Sequence, residues 1–120
     1  MKFLLRLSPA VLALTVSGLV WEQPRLTLTA QPGQRVVITH FHFRNTSAHP
    51  IAILALEASC RCLTADVAKA VWQPGEAGEV EAAFTVGPQT GTVQRTIEVL
   101  TDEAGPPTQA LALQVHLPDP

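Results

Sequence analysis

Short segments of alternating apolar and polar residues recur along the chain at intervals of about ten residues, and each is bounded by Pro, Gly, Asn or Asp. Alternation places successive side chains on opposite faces of an extended strand. Past Trp21 no window carries a helical apolar stripe of useful length. This pattern predicts an all-β chain, folded as an antiparallel sandwich of the immunoglobulin type with Greek-key connections.

The alternation predicts six strands and a doubtful seventh, for a sandwich of about seven. The six cover residues 25–30, 35–43, 51–58, 79–86, 92–101 and 109–117, and the doubtful one covers 70–72. The strands 25–30 and 109–117 are terminal and regular, so we expect both at sheet edges. In the second strand Val37, Phe41 and Phe43 share the inward parity. Asn45-Thr46-Ser47 fits a glycosylation acceptor pattern, which a turn asparagine also explains.

Residues 1–20 have the layout of a secretory signal peptide: Lys2 and Arg6, then an apolar run that ends near Ser17 and Gly18. The alternative is an uncleaved membrane anchor, because residues 3–20 could nearly span a bilayer. Either reading predicts an exported protein of the periplasm or cell envelope, with the sandwich domain at residues 21–120. In the anchored case the same segment tethers the domain to the membrane.

Charge argues against nucleic acid as a partner. The chain has eight Lys and Arg against ten Asp and Glu, and residues 1–18 hold two of the basic ones. The remainder therefore has six basic and ten acidic residues, a net charge of −4. Its cations are scattered singly, so no basic patch is available for phosphate contacts.

Several segments in order resemble a bacterial family catalogued as domain of unknown function 1573, across residues 41–118. They are FHFRNTS (41–47), IAILALEASCRC (51–62), QPGEAGEVEAAF (73–84), and Gly91 followed by TIEVLTD (96–102). They are similar to the family's F-x-F-x-N-T-G, S-C-G-C-T, P-G-E and G-x(n)-I-x-V-x-T elements. The resemblance implies an exported immunoglobulin-like domain with no established activity.

The chain departs from that pattern at three positions. Ser47 and Arg61 stand where the family favours glycine, and Leu63 stands where it favours threonine. An arginine between the cysteines raises the cost of any backbone with positive φ. Any activity that needs the family's loop shape is therefore in question.

Cys60 and Cys62 are the chain's two cysteines. In a straight strand their Cα atoms would lie roughly 6.5 to 7 Å apart, at the upper limit for a disulfide, so a bridge requires a bend. So small a loop removes little chain entropy, which predicts a weak and readily reduced bond. The pair can be a structural clip, two free thiols, or a redox pair whose thiolate Arg61 favours.

A third hypothesis adds His40 and His42 to Cys60 and Cys62 as a weak candidate site for zinc or copper. The expected strand order places Cys60 near Gln34–Val36 rather than near His42. We expect each histidine to be a solvated strand residue, with His116 on the opposite sheet, and we expect no cofactor.

The chain has no nucleophile elbow, phosphate-binding glycine loop or dinucleotide fingerprint. Its carboxylates, such as Asp66, Glu81 and Asp102, are spread singly. We therefore expect no enzyme but a module that contacts other envelope proteins, for example as an accessory subunit, through exposed edge strands. The alternative is a thiol-redox or copper-handling protein that uses Cys60 and Cys62.

Overall fold

The computed structural model describes residues 18–103 and 108–119. Within these ranges no helix is long and apolar enough to span a membrane. The same ranges hold nine strands: β1 (Leu19–Trp21), β2 (Arg25–Thr29), β3 (Val36–Asn45), β4 (Ile51–Ala58), β5 (Leu63–Val67), β6 (Val71–Trp72), β7 (Ala77–Thr85), β8 (Gly91–Thr101) and β9 (Thr108–Leu117).

The strands form two sheets, in the orders β1-β3-β7-β5 and β2-β9-β8-β4-β6. All neighbouring strands are antiparallel except β2 and β9, which run parallel. The predicted immunoglobulin-like sandwich is confirmed. The sheets bury a shared core because every second side chain of each long strand faces the other sheet.

The core follows the parity that the sequence predicts. Val37, Phe41 and Phe43 are buried on β3, whereas on its outward face His40 is half-buried and His42 is exposed. Ile97 and Val99 of β8 supply the facing layer, and both are 0% exposed. The apolar material is mainly aliphatic, which fits a chain without tyrosine.

Two strands were not predicted. β1 lies partly within the range 1–20 assigned to the hydrophobic segment: Leu19 is 1% exposed and pairs with Asn45 of β3. The rest of that segment, residues 1–17, lies outside the described residues. β5 has only five residues and follows directly on the cysteine pair, so its short alternation did not stand out from a loop.

One of the two expected edges is wrong. β2 does end the second sheet, but β9 lies between β2 and β8. Thus β9 has hydrogen-bonded neighbours on both sides. A strand near the end of the chain need not lie at the edge of its sheet. Here β2, more than eighty residues earlier in the sequence, pairs in parallel with β9 and takes the edge position.

Candidate functional site

The cysteine pair lies where the chain crosses from one sheet to the other. Residues 59–62 connect β4 of the second sheet to β5 of the first. Ser59 extends the ladder beyond β4: its N–H donates to Thr96 O at 2.9 Å, and its Oγ accepts the Thr96 N–H at 3.0 Å. The chain then turns, with the Leu63 N–H donating to Cys60 O at 3.4 Å.

Cys60 and Cys62 form a disulfide across this turn, with their Cα atoms 5.2 Å apart. The separation is below that of a straight strand, so the bend that a bridge requires is present. Within the described ranges no residue other than glycine has positive φ. Arg61 therefore turns the chain without the strain expected from replacing glycine.

A cation that the sequence reasoning missed lies at the sulfur. The Arg95 Nε–H donates to Cys62 Sγ at 3.3 Å, and its Nη1–H donates to Gln94 O at 2.8 Å. Both cysteines are half-buried and pack against the core. By contrast, Arg61 is exposed, and no hydrogen bond in the described part of the chain joins it to either sulfur.

A signal for Arg95 was available in the sequence. On β8 it shares the inward parity with Val93, Ile97 and Val99. A charged side chain rarely occupies the core-facing parity of a strand without a specific partner. Among the described residues no carboxylate forms an ion pair with it, and the sulfur of Cys62 is its partner across the sheets.

The structure does not bring His40 and His42 to the cysteines. The Thr85 N–H donates to Cys62 O, and Thr85 pairs on its other side with Val36 of β3, so β7 separates the cysteine pair from the beginning of β3. His40 is four residues beyond Val36 on β3, which puts it roughly 13 Å from Val36 at the rise of a strand. It is also on the outer face, where His40 Nε2 lies 3.4 Å from Glu81 Oε1.

The outer face of the first sheet thus carries its histidines among carboxylates, with His42 Nδ1 3.5 Å from Glu79 Oε1. His116 lies on the second sheet, as expected, 2.8 Å from Thr92 Oγ1. In residues 18–103 and 108–119 no group of three or more His, Cys, Asp or Glu side chains is placed to hold a metal ion. The weak Cys60, Cys62, His40 and His42 set is not assembled.

A second candidate site is the open side of β2. Ala112 N–H donates to Pro24 O at 2.8 Å, and Ala30 N–H donates to His116 O at 2.9 Å. Peptide groups alternate in direction along a strand, so the even-numbered ones of β2 bond to β9. The N–H and C=O groups of Arg25, Thr27 and Thr29 therefore face the open side.

The strands at the other three sheet edges carry fewer open donors than β2. β1 and β6 have only three and two residues. On β5 the groups facing away from β7 are those of Leu63, Ala65 and Val67, because Cys62 O accepts from β7. Leu63 N–H is already bound to Cys60 O, and Val67 N–H donates to Asp66 Oδ1 at 3.0 Å. Short strands and occupied donors limit pairing with another chain at these three edges. β1 covers only residues 43–45 of β3, so the first part of β3 is also open, and β2 is the open edge strand of the second sheet.

The family model described as Protein of unknown function (DUF1573) matches residues 19–117. The chain belongs to the DUF1573 family. The matched range begins at the first residue of β1 and ends at the last residue of β9, so the family unit and the sandwich coincide. The comparison with curated proteins gives no match to this DUF1573 domain.

Solved structures share the sandwich at low identity. A protein of unknown function from Porphyromonas gingivalis W83 is 15% identical with a TM-score of 0.72, over 86% of this chain and 50% of that one. The Vibrio cholerae VesB protease is 18% identical with a TM-score of 0.64, over 85% and 32%. WR4, a C. elegans MSP family member, is 10% identical with a TM-score of 0.60, over 86% and 100%. The DUF1573 domain spans half or less of the two bacterial chains, and these likenesses concern the fold.

Proposed function

We propose that this DUF1573 domain is an exported, noncatalytic module that binds an extended segment of a partner protein along β2. The observation that carries the proposal is the row of open peptide groups at Arg25, Thr27 and Thr29. Such an edge adds a strand from another chain through main-chain hydrogen bonds, and the side-chain positions of the edge select the sequence.

The side chains of β2 define the segment that would fit. Leu26 and Leu28 face the core but are only half-buried, because nothing covers them on the open side of the described sheet. An added strand with apolar residues at alternate positions would complete their burial. On the outer face Arg25 is exposed, which favours an acidic residue opposite it. The partner segment is therefore amphipathic, extended and acidic on its outer face.

Several features support a noncatalytic role. Ser47 and Ser59, the two serines beyond residue 18, are engaged in the turn at Asn45 and in the β4–β8 ladder. The similar part of the VesB protease is 32% of that chain, so a sandwich of this kind can be one part of a larger protein.

Export is supported by the leader-like layout of residues 1–18 and by the disulfide, a bond typical of oxidising compartments.

Site-specific photocrosslinking in the native cell tests the docking surface. A photoreactive amino acid replaces Thr29 on β2, and in a control strain it replaces Glu98, an exposed outer-face residue of β8 in the middle of the same sheet. We expect a crosslink from position 29 to an extended segment of another protein, identified by mass spectrometry, and none from position 98. Crosslinks from position 29 to a second copy of this chain alone would contradict the proposal.

A further inference from the structure

We propose that the Cys60–Cys62 disulfide exchanges with dithiols of other exported proteins or peptides, and that Arg95 stabilises the thiolate released at Cys62. The inference does not rest on docking along β2, because its test follows the disulfide itself and not the binding of a partner. It rests on two independent observations: how small the disulfide ring is, and which side chain contacts its sulfur.

The bond links residues two apart in sequence. A disulfide that closes so short a loop restrains the unfolded chain little, so it contributes little to folding. The corner already has other restraints: the paired hydrogen bonds of Ser59 with Thr96, the Cys60–Leu63 turn, and the Thr85 N–H bond to Cys62 O. The chain can therefore retain this corner when the bond opens.

The contact at Cys62 makes the two sulfurs unequal. The guanidinium of Arg95 reaches Cys62 Sγ through Nε, and no described carboxylate neutralises its charge by an ion pair. Both Arg95 and Cys62 are half-buried, where water and salt screen the attraction less than at an exposed site. A neighbouring cation stabilises a thiolate, and a stabilised thiolate leaves faster in exchange. Cys62 is therefore the leaving sulfur and Cys60 the attacked one.

The exchange has two steps. A thiolate of the partner dithiol attacks Cys60 Sγ and forms a mixed disulfide, and the electron pair of the Cys60–Cys62 bond passes to Cys62 Sγ beside Arg95. The second partner thiolate attacks the partner's own sulfur and releases Cys60 as a thiolate. The partner loses two electrons and two protons and becomes a disulfide, and the cysteines become a dithiol after protonation.

The test uses the full chain purified without reductant. It is equilibrated with reduced and oxidised glutathione at fixed pH, quenched with acid and alkylated, and its free thiols are counted by intact mass. We expect the pair to pass from oxidised to reduced within the range of accessible glutathione ratios. A pair that stays oxidised in a large excess of reduced glutathione would show a structural clip and overturn the proposal.

Arg95→Gln is the decisive variant, compared with Arg61→Gln, Arg44→Gln and the conservative Arg95→Lys. We expect Arg95→Gln to slow reduction by dithiothreitol about threefold, as a modest loss of thiolate stabilisation in the leaving group predicts. Arg95→Lys should recover part of the rate, and Arg44→Gln, which makes the same charge change at an exposed residue near the far end of β3, should leave it unchanged. Equal slowing in Arg61→Gln and Arg95→Gln would contradict the assignment of Arg95.

Folding of the variants is checked by circular dichroism. If Arg95→Gln does not fold, the salt dependence of the wild-type rate decides. Screening of a cation near the leaving sulfur should slow reduction by the dithiothreitol thiolate, compared at a fixed thiolate concentration, as ionic strength rises. A rate independent of salt would contradict an electrostatic role for Arg95.

Discussion

The side-chain amide of Asn45 donates a hydrogen bond to the backbone oxygen of Trp72 at 2.9 Å, in the interior of the sandwich. The same amide donates to His49 O at 2.9 Å, and Asn45 Oδ1 accepts the Ser47 N–H at 2.9 Å. Asn45 is 0% exposed. It therefore joins the end of β3 to β6 and to the turn before β4, so the Asn45-Thr46-Ser47 pattern is explained by a buried turn asparagine.

Replacing this residue should destabilise the domain strongly. Asn45→Ala leaves buried backbone oxygens without their donor, and we expect the free energy of unfolding to fall by about 2 to 4 kcal/mol. Thr46→Ala is the control, because Thr46 is exposed and its hydroxyl makes one bond, to Gly18 O at 3.2 Å. Urea unfolding of both variants measures the difference. Equal, small losses would show that Asn45 does not connect these elements.

Gly78 on β7 has an aromatic cluster against its backbone. A Cβ added there would lie 2.5 Å from the Trp72 ring and 2.8 Å from Phe43 Cζ, and those two rings pack edge-on with centroids 5.0 Å apart. Gly78→Ala must displace the cluster, and we expect a loss of about 1 to 3 kcal/mol in unfolding free energy. Gly87→Ala should be nearly neutral, because the nearest atom there is the mobile end of Gln89. A neutral Gly78→Ala would contradict the packing described.

The ion pair of Lys69 and Glu76 predicts a small acid sensitivity. The hydrogen bond from Lys69 lowers the pKa of Glu76 below its ordinary value, and the Gln73 backbone N–H adds to the effect. A carboxylate with a lowered folded-state pKa stabilises the fold above its unfolded pKa, and this stabilisation is lost as pH falls through the folded pKa. The stability gap between wild type and Glu76→Gln should therefore be present at neutral pH and close as the pH falls below about 4.

The measurement is thermal unfolding of wild type and Glu76→Gln at several pH values and at low salt. Lys69→Gln supplies the control background, because it removes the Lys69 hydrogen bond, which is the main cause of the lowered Glu76 pKa. In that background the stability gap that Glu76→Gln produces should be smaller at neutral pH. If the stability difference between wild type and Glu76→Gln grew as the pH falls, the pKa of Glu76 would be raised in the folded state, which would contradict the ion pair with Lys69.

Glu57 of β4 lies directly opposite Glu98 of β8, and both are exposed. Like charges in facing positions of neighbouring strands repel each other. We expect Glu57→Gln to raise the free energy of unfolding by about 0.5 kcal/mol at low salt, and the gain should shrink as salt is added. Glu22→Gln, at an exposed residue just beyond β1, is the matched control and should change little. Stabilisation that is independent of salt would point to a cause other than repulsion.

The position of β1 limits where a leader could be removed. Gly18 is buried and its N–H donates to Glu103 Oε2 at 2.6 Å, and Leu19 is 1% exposed. Removal of Leu19 would leave a cavity in the core. If the leader is cleaved, we expect the intact mass of the protein from its native envelope to correspond to a chain that begins at or before Gly18. A chain that begins after Leu19 would contradict the role of β1.

Alternation was sufficient to predict the long strands and their inward faces, as at Val37, Phe41 and Phe43. It reports which face a residue is on, and not which strand lies beside it. The β2–β9 pairing therefore could not be predicted, since it joins residues more than eighty positions apart. β1 and β5 were missed because segments of three and five residues carry too few alternations to distinguish them from loops.

The candidate site was predictable in part. The bend at Cys60–Cys62 and its distance from His42 both follow from strand geometry. The partner of the sulfur did not, because Arg95 is 33 positions from Cys62 and reaches it across the two sheets. Parity placed Arg95 inward, but only the packing of the sheets determines what an inward charge contacts.

The central claim is that the open peptide groups of β2 bind an extended partner segment, and proline tests it most directly. Thr27→Pro removes an N–H that faces the open side, at little expected cost to the fold, whereas Thr27→Ala keeps that N–H and changes only the side chain. The measurement is the affinity of each chain for the partner crosslinked at position 29, by titration calorimetry with far-UV circular dichroism as a folding control. We predict that Thr27→Pro weakens binding about tenfold or more and that Thr27→Ala leaves it nearly unchanged. Unchanged affinity in a folded Thr27→Pro chain would contradict docking along β2.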